Sequence, residues 1–210
     1  MLVPLHRWSA PGRRSVPARR CALAGAVVLV VGFLLAACSS GGAASFDPAA
    51  ACDAAVREQM PGAYPDLEAR IPTLIEGREA RSRDSGRFCS NETLGSVLDA
   101  GVAEVRFGGG IWEVGDRGGV QLGAFEGDGL TPALLADEYR RGAEASRRTE
   151  AVKPTTLQID GRPAWRIDVV NGNSRQAIVV WGSADGKVVQ AVVAADVDEA
   201  QLQAAISAYR

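Results

Sequence analysis

Histidine is almost missing from this 210-residue chain: its one copy is His6. Beyond that position no imidazole is available as a general base, which excludes Ser-His-Asp and Cys-His catalysis and removes the usual nitrogen ligand of a zinc site. Lysine is scarce as well, with Lys153 and Lys187 alone, so amine chemistry has few candidates. The first twenty residues lack acidic side chains altogether and carry Arg7, Arg13, Arg14, Arg19 and Arg20. No Gly-Lys-Ser/Thr follows the glycine clusters at residues 107–112 and 115–123, so a phosphate-cradling loop is not indicated; tight turns or bulges are expected there.

What is present begins with ALAGAVVLVVGFLLAA, residues 22–37, an uncharged apolar block behind the arginines. A bilayer-spanning helix needs about 20 apolar residues. A positive leader, a shorter apolar run and small residues at its end are the pattern of a secretory signal peptide. The run stops at Leu35-Ala36-Ala37-Cys38, which resembles the lipobox of bacterial lipoprotein signal peptides. That resemblance implies cleavage after residue 37 and lipid attachment to the thiol of Cys38. Residues 38–50, small and polar, then read as a flexible tether. Arg19-Arg20 with the following Cys-Ala-Leu forms a loose twin-arginine pattern, so export by that route and by the general secretory route both stay open.

Loss of the five leader arginines leaves eighteen basic residues against twenty-five acidic ones, a net charge of −7. An acidic domain lacks the basic footprint of a nucleic-acid binder, and no nucleic-acid partner is expected. Cys52 and Cys89 remain after the leader and anchor cysteines are set aside. Two thiols in an exported chain predict one disulfide. Their separation of 37 residues is unlike a Cys-x-x-Cys redox pair.

Residues 51–210 have the length of one domain. Residues 48–60 are expected to be helical, and Arg78–Asp84 to form a first strand. A helix capped by Ser90 or Asn91 follows, with Leu94, Val97, Leu98 and Val102 at helical spacing. AEVRF and IWEVG read as two strands separated by Gly108-Gly109-Gly110, and GVQLGAFEG as another. Thr131 and Pro132 open a helix over 131–148, with Leu135, Tyr139 and Ala143 on its inner face. Asp160-Gly161, Asn171-Gly172-Asn173 and Asp185-Gly186 punctuate four strands, TTLQI, AWRIDVV, RQAIVVW and KVVQAVVAA. A last helix is capped by Asp196 or Asp198.

The expected fold class is α+β: an antiparallel β-sheet meander with helices packed on one face, a two-layer sandwich. Its element order is broadly similar to that of PsbP and Mog1-like lipoproteins. The likeness is one of order alone, and no site transfers through it.

Among side chains, Trp112 beside the glycines and Trp181 at a strand end are the candidates for an exposed ligand or partner patch, whereas Trp165 aligns with Ile167 and Val169 toward a core. The carboxylates Glu126, Asp128, Asp196, Asp198 and Glu199 lack the spacing of a calcium loop. No metal, cofactor or catalytic residue is assigned. The expectation is a cell-envelope lipoprotein, extracytoplasmic and held to the cell membrane by its N-terminal lipid. Its domain would bind an envelope protein or a small apolar ligand without catalysis. A carboxylate-dependent hydrolase and a structural spacer are the alternatives.

Overall fold

Four strands joined by tight turns carry half of the sheet. Asp160 and Gly161 both have positive φ (51° and 75°), as a two-residue turn between right-twisted strands requires. They connect β7 (Ala151–Ile159) to β8 (Arg162–Asn171), which leads to β9 (Ser174–Gly182) and β10 (Val189–Ala195). The other half contains β1 (Glu58–Met60), β4 (Ser82–Phe88), β5 (Val105–Val114) and β6 (Gly118–Glu126). The eight strands form one antiparallel sheet in the order β1-β4-β5-β6-β10-β9-β8-β7, sealed by the β6–β10 ladder. Strands β9 and β10, the most apolar, lie in the interior of the sheet. A separate two-stranded ribbon joins β2 (Leu74–Ile75) to β3 (Arg78–Glu79). The computed structural model describes residues 46–55, 58–115 and 118–209. The expected signal peptide, residues 1–37, and the attachment site Cys38 lie outside the described residues, as does most of the tether. Among the described residues no helix is long and apolar enough to cross a membrane.

The helices are short: α1 (Pro65–Glu68), α2 (Asn91–Leu94), α3 (Ser96–Asp99), α4 (Pro132–Ala145) and α5 (Glu199–Ala208). Three N-termini follow the sequence signals, whereas the helix expected to run to Val102 breaks at Gly95 into α2 and α3. Ser90 and Thr93 cap α2 reciprocally, Thr131 accepts from the Leu134 N–H, and Asp198 with Gln201 forms a capping box on α5.

Placement of the helices corrects the expected two-layer arrangement. Successive strand residues point to opposite faces, and both faces are apolar. Val179 and Trp181 of β9 pack with Leu67 of α1 and Leu202, Ala205 and Ile206 of α5. Ile178 and Val180, on the opposite side, pack with Leu94 of α2, Val97 of α3, and Leu135 and Ala136 of α4. The sheet is therefore covered by helices on both faces. The alternation in AWRIDVV misled because β8 lies near an edge, where one face is less covered; Arg166 and Asp168 occupy it.

Two local readings are also corrected. Gly108, Gly109 and Gly110 do not separate two strands; they lie inside the single ten-residue β5. A Cβ at Gly108 would come 2.7 Å from the Leu67 backbone, so glycine lets α1 settle directly on the strand. Residues 48–55 and 58–60 do not form the expected helix over 48–60: a turn lies at 48–50, ahead of Cys52, and Glu58–Met60 are β1. The Cys52–Cys89 disulfide is present, with Cα atoms 6.3 Å apart, and it fixes this strap beside the end of β4. Phe46, placed in the tether by sequence, packs edge-on against Tyr64 at 6.2 Å, under the Arg87 guanidinium.

At the free edges, β1 has only three residues and β7 carries Lys153 and Pro154. Short length, charge and proline all discourage pairing with another chain.

Candidate functional site

The tryptophans are not a surface patch. Trp112 is 0% exposed and Trp181 1% exposed, both in the core under α1 and α5. Gly110 makes the room for Trp112, since a Cβ there would lie 2.7 Å from the indole Cη2. Trp181 meets Tyr209 edge-on, with ring centroids 5.6 Å apart. Trp165 lies against the opposite core and is partly buried. The expected patch at Trp112 and Trp181 is thus replaced by packing, because both indoles stand on the covered face of the sheet.

A concave site occurs instead at the end of the sheet where the β7–β8 and β9–β10 turns emerge together. It is a cleft of about 460 Å3. The residues after α1 contribute Arg70, the first turn contributes Asp160 and Arg162, and the second contributes Ser183 and Asp185. Gln190 of β10 and Tyr209 at the end of α5 complete its buried side.

The geometry is tied together by charged hydrogen bonds. Arg70 Nη2 donates to Asp185 Oδ2 at 2.8 Å. Asp185 Oδ1 accepts from Ser183 Oγ at 2.6 Å and from the Lys187 N–H at 3.1 Å. Ser183 Oγ in turn accepts from the Val188 N–H at 3.1 Å, so the turn is rigid around its carboxylate. Arg162 Nη1 donates to the Gly182 carbonyl at 2.6 Å and Nη2 to Asp160 Oδ2 at 3.0 Å. Gln190 Nε2 donates to the Tyr209 carbonyl at 3.2 Å, which closes the end of α5 onto β10.

Electrostatics separates the roles. The Arg70 guanidinium, with help from Ser183 and the Lys187 amide, holds the Asp185 carboxyl well below the usual carboxylate range. Asp185 is therefore a fixed anion rather than a proton donor at neutral pH. Burial pushes the Tyr209 phenol well above its ordinary value, so it stays protonated. Its hydroxyl is buried and has no hydrogen-bond partner among the described residues, a costly condition in a folded protein.

Two other clusters of ionisable groups have structural work. Glu58 and Arg87 form a buried ion pair through Arg87 Nε and Glu58 Oε2, supplemented by Nη2 to Oε1 at 3.0 Å. Arg87 Nη1 also donates to the Ala50 carbonyl at 2.8 Å, holding down the strap. Glu58 lies with Cys52 and Cys89 in a group of metal-ligand type, but the two sulfurs are bonded to each other and the carboxylate receives Arg87. Buried Glu138 accepts from the Ser96 N–H at 2.8 Å and from Ser96 Oγ at 2.7 Å, anchoring α3 to α4.

The cleft residues Arg70, Asp160, Arg162, Ser183, Asp185, Gln190 and Tyr209 come from four separate stretches of chain. Sequence reasoning marked Asp160 and Asp185 only as turn residues. The one usable signal was that two Asp-Gly turns, one strand pair apart in a meander, must emerge at the same sheet end. No family model matches this chain, and no curated protein is significantly similar to it.

Proposed function

We propose that the chain is a lipid-anchored, extracytoplasmic binding protein that holds a small polar ligand in the cleft between the β7–β8 turn, the β9–β10 turn and the end of α5. The observation that carries the binding role is the open cleft of about 460 Å3 lined by the Arg70–Asp185 and Arg162–Asp160 ion pairs where two turns emerge together. The volume falls in the range of small-molecule sites, about 300–1,000 Å3. The polar lining favours a polar occupant over the apolar one expected from the tryptophans.

The ion pairing of both cleft carboxylates supports binding over turnover. A hydrolase built on two carboxylates needs one of them held protonated near neutral pH. Asp185 is displaced in the opposite direction, and Asp160 is paired with Arg162. The membrane anchor rests on the Leu35-Ala36-Ala37-Cys38 resemblance, and the disulfide agrees with an oxidising compartment.

Mass spectrometry of the full chain purified from membranes tests both parts. The expected species begins at Cys38 with diacylglycerol on its sulfur, and under native conditions carries a small bound molecule. In Ala184→Trp, a bulky ring on the exposed lining of the cleft, that molecule should be lost. An unacylated chain retaining residues 1–37 would remove the anchor. A ligand-free native protein that also takes up nothing from envelope extract would remove the binding role.

A further inference from the structure

We infer that the cleft is built for a neutral, hydroxyl-rich ligand of one or two sugar rings, an inference that rests on the cleft being a binding site. Charge is the first reason. Both guanidinium groups are already joined to carboxylates, Arg70 to Asp185 at 2.8 Å and Arg162 to Asp160 at 3.0 Å. The four formal charges of the lining cancel. An anion attracted by Arg70 would also be pressed against Asp185, and a cation attracted by Asp185 against Arg70. A neutral ligand meets neither opposition.

Hydrogen-bonding capacity is the second reason. A guanidinium has five N–H donors, and Arg70 uses one nitrogen, Nη2, on Asp185, with no other bond among the described residues. Asp185 Oδ2 accepts from that nitrogen alone, so an unused acceptor direction lies beside unused donors. Two adjacent ligand hydroxyls match this arrangement: one oxygen accepts from Arg70 while its neighbour donates to Asp185. A carboxylate group offers no proton to Asp185, a phosphate brings its negative charge against Asp185, and an alkylammonium group offers no lone pair to Arg70. Ala69 and Ala184, both on the lining, supply small apolar surfaces for the C–H side of a ring.

Isothermal titration of the full chain in detergent distinguishes the ligand classes. The probes are neutral glycosides (methyl glucoside, methyl mannoside, methyl galactoside and maltose), inorganic phosphate, and choline. At least one glycoside should bind measurably, and Ala184→Trp should abolish that binding. Arg70→Gln should weaken the same glycoside, and phosphate and choline should bind less tightly. Phosphate or choline binding more tightly than every glycoside, and likewise lost in Ala184→Trp, would overturn the ligand class and leave the cleft as a binding site. No heat from any probe would also overturn the class. The native mass experiment with Ala184→Trp then decides separately whether the cleft holds anything.

Discussion

Two corners of the molecule use arginine against a carboxylate, with opposite consequences. At the strap, the Arg87 and Glu58 side chains are 3% and 7% exposed. At the cleft, Arg70 and Asp185 are 32% and 40% exposed. The strap pair is surrounded by further satisfied bonds, to the Ala50 carbonyl and the Asp53 N–H, beneath the Phe46 ring and near the disulfide. Nothing there is left to offer a ligand. The cleft pair keeps unused donor and acceptor directions toward an open volume. An ion pair with the same chemistry is thus a fastening where solvent is excluded and, in the function proposed above, a recognition element where it is admitted.

The sharpest way to break this contrast is Arg87→Met, which leaves Glu58 buried without its partner. A loss of about 3–5 kcal/mol is expected in urea denaturation. Replacing both residues, Glu58→Leu with Arg87→Met, should recover most of it. Equal losses in the single and double variants would mean that packing, not charge, holds the strap. Acid sharpens the same point. Arg87 lowers the Glu58 carboxyl below its ordinary value of 4.5. Its stabilising contribution is therefore complete above that value and is lost as pH falls through the lower folded value. The double variant should show a flatter stability profile on the acid side, measured by thermal melts between neutrality and pH 2.

Removing the disulfide with Cys52→Ser and Cys89→Ser is next in size, at up to about 4 kcal/mol in the chain-entropy account. A reductant should lower the wild-type melting temperature and leave the serine variant unchanged. Gly86→Ala comes third. Its Cβ would collide with the Glu58 carbonyl oxygen and lie 2.9 Å from Gln59 Cα. An overpacking cost of about 1–3 kcal/mol is expected, again read from urea midpoints. The smallest effect belongs to the other corner: Arg70→Gln should leave the melting temperature unchanged while weakening ligand binding. A large fall in melting temperature for Arg70→Gln would erase the distinction between the two corners.

The parts legible in sequence were those encoded by neighbours in the chain. The four strands of the second half, their Asp-Gly and Asn-Gly turns, the caps at Ser90, Thr131 and Asp198, and the Cys52–Cys89 bond all depend on local backbone preference or on elimination among few thiols. The misread parts depend on distant neighbours. Three glycines in a row look like a break until α1 is known to lie on them. PAAACDAAVREQM has helix-forming alanines, yet the disulfide at Cys52 and the pairing of Glu58–Met60 with β4 keep its described residues out of a helix. Trp112 and Trp181 looked free because nothing nearby in sequence announced the helix above them.

By itself, the sequence determined the strands of the second half, the disulfide, the acidic balance and the near lack of imidazole, since each is a property of single residues or of short spacings. The covering of both sheet faces and the assembly of the cleft were decided by tertiary structure alone. Arg70, Asp160, Asp185 and Tyr209 are separated by long stretches of chain, and only the strand order brings them to one end of the sheet. Whether a charged side chain becomes a buried fastening or an available donor depends on how much solvent reaches it, and solvent access is a property of the packed whole.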